Sequence, residues 1–197
     1  MTNHQPSPLG TPEWCDIPFR SQSKTPFDVL VDIMVQLPSC SFEVSQLQKA
    51  QSIKLDTEGL KDQVLRKIQS LLDELDAFSK KNSVANFHTT FQATLAALFH
   101  SANIICLKYH GVVSGRLHHY EPQMKEHAEM IFECVSLHME AGLQSGGLFN
   151  MIFPLKIVSR MVPHKYIRDQ AQSVILSWAA RRGLDDQYQT APSLRTQ

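Results

Sequence analysis

Apolar residues along this chain recur at three- and four-residue steps, the spacing that lines one face of an α-helix. No stretch alternates at the two-residue period of a half-buried strand. The first clear helix starts at Thr25-Pro26-Phe27-Asp28. Thr25 can cap it, Pro26 suits the first helical position, and Asp28 places negative charge in the first turn. Phe27, Leu30, Ile33, Met34 and Leu37 then form one apolar face, and Pro38 ends it, because the residue before a proline avoids the helical region. A short helix is predicted over residues 43–52. From Asp56 to Lys80 runs a stripe of Leu60, Val64, Ile68, Leu71, Leu72, Leu75 and Phe78, with an acidic start at Asp56 and Glu58 and a basic end at Lys80-Lys81.

A long helix is predicted over residues 83–109, marked by Phe87, Phe91, Leu95, Leu98, Phe99, Ala102, Ile105, Cys106 and Tyr109. Its apolar arc widens after residue 94, which predicts a central helix buried on several sides, with Phe91 in the core. Gly111 is the expected C-terminal cap, and residues 111–120 read as a loop or a short crossing. Residues 121–139 predict a helix with Met124, Ala128, Ile131, Phe132, Val135 and Met139 inward and Pro122 in its first turn. Gly142, Gly146 and Gly147 break the pattern. Two last helices follow, over 149–161 and 163–182; Pro163 starts the second, and Pro154 opens or kinks the first. The expected architecture is all-α: an irregular bundle of about six to seven helices over residues 14–182, between flexible tails at 1–13 and 183–197. No repeat recurs at the periods of helical solenoids.

Composition narrows the function classes. The chain has 197 residues and 43% apolar content, enough for one domain with a real core. Nineteen basic and nineteen acidic side chains cancel, which is poor material for a nucleic-acid-binding surface. The nine histidines add positive charge only below about pH 6.5. No run approaches the ~20 consecutive apolar residues of a membrane span. The first residues have neither the basic region nor the apolar core of a signal peptide, and no mitochondrial presequence pattern, so cytosol or nucleus is the expected compartment. Cys15, Cys40, Cys106 and Cys134 are never closer than 25 residues, which excludes the close ligand pairs of small zinc modules. Reduced, mostly buried thiols are the expectation.

Candidate chemistry is sparse. His118, His119, His127 and His138 gather near Glu121, Glu126, Glu129 and Glu133, but only Glu129 and Glu133 share a helical face at a four-residue step. Without an HExxH pattern these read as solvated surface charges. His100, beside Phe99, reads as a partly buried histidine bonded to backbone or water. Gly111-Val-Val-Ser114-Gly115 has neither the spacing nor the preceding strand of a nucleophile elbow and reads as a turn. Gly146-Gly147 reads as a helix break rather than a phosphate cradle. Met124, Met130, Met139, Met151 and Met161 collect in the last third with Phe132, Phe149 and Phe153, as an irregular core or as an adaptable pocket. No catalytic residue, metal ligand or cofactor is predicted, and the chain is expected not to be an enzyme.

Two blocks carry a resemblance. Trp14-Cys-Asp-Ile17-Pro18-Phe19, followed by Lys24-Thr-Pro26-Phe27-Asp28-Val-Leu30 and Leu37-Pro38, is similar to a pattern, W-x-x-I-P-W then SPFD-x-L-x-D-I then LP, in the regulatory domain of fungal zinc-binuclear-cluster transcription factors. Leu148-Phe149, Phe153-Pro154-Leu155 and Arg168-Asp169-Gln170-Ala171 look like that family's terminal helices, and His127-Ala128-Glu129 on a helix also fits. The resemblance spans residues 14–182. It implies a regulatory or interaction domain of a fungal transcription regulator, in the nucleus, possessing protein partners in the transcription machinery or a related regulator. It further implies a small-molecule effector as a candidate partner and a secondary-metabolite gene cluster as a candidate target. The six-cysteine cluster with which such factors read DNA maps to no position here, so the chain looks like a C-terminal portion and no direct nucleic-acid binding is carried over. The alternative expectation is a helical small-molecule-binding protein or enzyme with a pocket beside the 83–109 helix.

Overall fold

The computed structural model describes Glu13 and residues 22–82, 84–141 and 147–181. The expected tails apart from Glu13, the Trp14-to-Phe19 block, Cys15 and the Gly142/Gly146 break lie outside the described residues. Among those described, all regular structure is helical: α1 (Pro26–Met34), α2 (Leu37–Ser52), α3 (Glu58–Lys81), α4 (Thr90–Ser114), α5 (Leu117–Glu140), α6 (Gly147–Met161) and α7 (Lys165–Arg181). The all-α multi-helix bundle is therefore the observed fold.

The start of α1 forms as its sequence dictates. Asp28 N–H donates to Thr25 Oγ1 at 3.3 Å, Thr25 N–H donates to Asp28 Oδ2 at 2.9 Å, and Pro26 takes the first turn. Pro38 does more than end a helix. α1 stops at Met34, and Pro38 sits in the first turn of α2, which is far longer than the segment expected over 43–52. The stripe on α3 is buried at Val64, Ile68, Leu71, Leu75 and Phe78.

α4 is the central element. It starts at a second capping box, Thr89 with Gln92, and not at residue 83. It packs against α1, α2, α3, α5 and α6, most extensively against α5. One of its faces joins α1–α3 in a core containing Leu30, Leu47, Ile68, Leu75 and Phe99. The other joins α5–α7 around Ile104, Met124, Ile131, Met151, Leu155 and Ala171. Each such large side chain stabilises the fold by roughly 1.5–3 kcal/mol relative to exposure. By length and composition α4 could also cross a membrane; 67% of that window is buried inside the protein, so its apolarity is used in packing.

The α4–α5 connection is tighter than the sequence suggests. Gly111 is not the cap but a position inside α4. The cap is Gly115, left-handed at φ 72°, and α5 begins at Leu117 in place of a loop. A Cβ on Gly111 would stand 2.8 Å from the Leu117 Cα, so the absence of a side chain lets the two backbones meet. Pro122 lies inside α5, past its first turn, and Pro154 lies inside α6. Neither proline can donate to the carbonyl four residues back. Pro163 precedes α7, which begins at Lys165.

Candidate functional site

A groove of about 1040 Å³ opens between α1, the start of α4 and α6. α1 supplies Phe27, Val31 and Met34, α4 supplies Thr90, Phe91, Thr94 and Leu98, and α6 supplies Asn150, Ile152, Phe153 and Lys156. His138, near the end of α5, lines it too. Its walls are largely apolar, and two aromatic residues stand open to solvent at it: Phe91 is 61% exposed and Phe153 42%. Phe91 meets Phe27 with ring centroids 6.2 Å apart. The expectation that Phe91 belongs to the core is therefore wrong. Its step from Phe87 and Leu95 points to one side of α4, but among the described residues α4 faces the groove there.

The polar end of the groove is built by Thr94 and His138. Thr94 Oγ1 donates to the Thr90 carbonyl at 2.9 Å, the common use of a threonine inside a helix, and lies 3.2 Å from His138 Nε2. His138 is only 1% exposed, and its Nδ1 has no hydrogen-bond partner among the described residues. Burial lowers its pKa, against the Thr90 carbonyl, which favours the protonated form. The ring is therefore neutral at pH 7. His138 contradicts its reading as a surface charge, and Met139, expected inward, is 48% exposed. A signal for this was present: Met124, Ala128, Ile131 and Val135 step by four, three and four, and the next step of three lands on residue 138.

A second polar site joins α4 to α5. His100 Nδ1 and His127 Nδ1 are 2.8 Å apart, so one nitrogen donates and the other accepts. Phe99 packs edge-on against both rings, with centroids 5.1 and 6.5 Å away. Burial, reinforced at His100 by the neighbouring His127, pulls the pKa of His100 down to about 3; burial pulls that of His127 down to about 4. His127 also lines a cavity of about 530 Å³ with Asp76, Ser79, Asn82 and Asn103. The partner of His100 is thus another histidine rather than backbone or water, and His127 is not a surface charge.

The remaining candidates are placed as follows. Glu129 and Glu133 are exposed, Glu129 pairing with Lys125 at 3.6 Å; His118 and His119 are exposed. No group of three or more metal-ligating side chains occurs among the described residues. Cys40, Cys106 and Cys134 are buried free thiols, and burial pushes them up to about 11, 12 and 12, which makes them inert as nucleophiles. Ser114 closes α4 with its hydroxyl 3.4 Å from the Gly111 carbonyl, within a helix end and not an elbow. The methionines divide between core and surface, Met124 and Met151 being buried, and the groove takes only Met34. In chemical terms the groove can hold an apolar body and recognise one polar group. Compared with protein-family models, curated proteins and solved structures, the chain matches none of them.

Proposed function

We propose that this chain is the regulatory, interaction-type domain of a fungal transcription regulator, acting in the nucleus, and that the groove is where a small-molecule effector acts on it. One observation carries the reading. The two blocks that resemble the fungal regulatory domain lie far apart in sequence, yet Phe27 of the first and Phe153 of the second line the same groove. Its volume and its mostly apolar walls with few polar groups suit a ligand pocket, a class that typically spans about 300–1,000 Å³. Protein partners in the transcription machinery or a related regulator would read the occupied state. A secondary-metabolite gene cluster is the proposed target.

Deleting the coding sequence and comparing transcripts tests the regulatory half. A coherent set of changed transcripts is expected; an unchanged transcriptome overturns it. Val31→Trp, which puts a large ring into the groove from α1, tests the effector half. It should reproduce the deletion while the protein still unfolds cooperatively, and wild-type transcription from the folded variant would overturn that half. The second reading, a helical small-molecule-binding protein or enzyme, draws on the same groove beside α4. It predicts that Val31→Trp abolishes ligand binding or turnover and that deletion leaves transcription alone.

A further inference from the structure

One residue lining the groove, His138, carries a buried nitrogen with no hydrogen-bond partner among the described residues. Thr94 has one hydroxyl proton, and it goes to the Thr90 carbonyl at 2.9 Å. The 3.2 Å contact between Thr94 Oγ1 and His138 Nε2 therefore needs its hydrogen from the histidine. With the hydrogen on Nε2 and the ring neutral, Nδ1 carries a lone pair, and that atom is the one left unpartnered. An unpaired buried acceptor is costly, so such an atom in a folded protein calls for an account. His100 Nε2 and His110 Nδ1 are likewise buried without a partner among the described residues, but of the three rings only His138 lines the groove. Asn150 lines the groove, and Pro154, four residues on, has no N–H to give its carbonyl.

We propose that the groove takes an elongated, mainly apolar small molecule bearing a hydrogen-bond donor, a hydroxyl or an amide N–H, which it gives to His138 Nδ1. The inference rests on the reading of the groove as an effector site. The apolar body lies among Phe27, Val31, Leu98 and Phe153, and the donor reaches in beside Thr94. His138 is so nearly enclosed that only a slim group fits there, which favours a small molecule over a helix of another protein. A carboxylate head group is disfavoured, because it would meet a lone pair unless the buried ring were charged. Lys156, also at the groove, is the residue that would favour an anion.

The test uses the full chain and three probes with one tail: 4-octylphenol, its methyl ether 4-octylanisole, and 4-octylbenzoate at pH 8. Calorimetry should show the phenol binding about tenfold more tightly than the ether, the discrimination expected of one buried hydrogen bond. His138→Phe should erase that difference while ether binding persists. In protein labelled with ¹⁵N-histidine, the His138 Nδ1 resonance should shift upfield with the phenol and not with the ether. Equal binding of phenol and ether, unchanged by His138→Phe, would overturn the role of His138 and leave the groove as a binding site. Tightest binding of the benzoate would overturn it in favour of an anion held at Lys156. Failure of all three probes in a folded protein overturns the groove reading as well, and concentration-dependent dimerisation relieved by Val31→Trp would then mark the face as a contact between copies.

Discussion

Two histidine sites stitch α4 to α5, and they differ in the partner that α4 offers. At one, His100 and His127 pair through their Nδ1 atoms at 2.8 Å beside the Phe99 ring, and His100 Nε2 stays buried with no partner among the described residues. At the other, His138 has a partner on one nitrogen only and lines an open groove with the other unpaired. His127, Ile131, Cys134 and His138 step along α5 by four, three and four, so one helical face carries both sites. What separates them is the neighbour opposite. At His127 the facing helix offers a second imidazole, whereas at His138 it offers the Thr94 hydroxyl, beside the groove. The first pairs helix with helix, and the second borders the proposed effector site. This difference cannot be read from either histidine alone.

Acid should break the first site, and this is the largest effect expected. An unfolded histidine titrates near 6.5, whereas these two titrate at about 3 and about 4. Between about pH 6.5 and 4 the unfolded chain binds protons that the native protein refuses, so stability rises with pH through that window and is fully present above it. Each histidine contributes about 1.4 kcal/mol per pH unit, or about 2 kcal/mol lost per histidine at pH 5 relative to pH 8. Urea unfolding at the two pH values should show a wild-type loss exceeding that of the double variant His100→Leu/His127→Leu by about 4 kcal/mol. Parallel losses in the two proteins would mean that the pair is solvated.

The helices were legible in the sequence where a residue's own neighbours decide its state. The stripe on α3 is buried because every step of it meets α1, α2 or α4, and the Thr25 capping box forms from four consecutive residues. Legibility failed where a distant helix decides. Phe91 fits an apolar period, yet among the described residues no helix covers it on that side. Gly111 looks like a cap because glycine often is one; its position is fixed instead by the approach of Leu117. The candidate site was half visible. Phe27, Val31, Met34 and Leu98 are readable as apolar faces, but periodicity says only that a face is apolar and not whether anything fills the space beyond it.

Because both sites share one face of α5, loosening that face should disturb both. Ile131 is fully buried between them. Ile131→Ala should cost about 2–5 kcal/mol in chemical unfolding, and amide exchange should quicken at both ends of the α4–α5 seam. Protection lost at only one end would show that the two sites are mechanically separate. A smaller effect is expected where the seam is set in register. Gly111→Ala puts a methyl group 2.8 Å from the Leu117 Cα, a backbone atom that cannot swing aside. Overpacking of this kind costs about 1–3 kcal/mol, and a neutral result would mean that the turn at Gly115 yields easily.

The smallest effect on stability should come from Phe91, and it sharpens the contrast between the packed seam and the groove. Were the side chain in the core, as its period suggests, Phe91→Ala would cost about 3–5 kcal/mol. At 61% exposure, with the Phe27 ring as its aromatic contact, it has little buried area to lose, and a cost below about 1 kcal/mol is expected. The same substitution removes one aromatic wall of the groove, so 4-octylphenol should bind several-fold more weakly to a protein of nearly unchanged stability. An aromatic ring held open to water contributes little to the fold, and the binding loss would show that it belongs to whatever enters the groove. A large loss of stability would instead put Phe91 back in the core and close the groove at that wall.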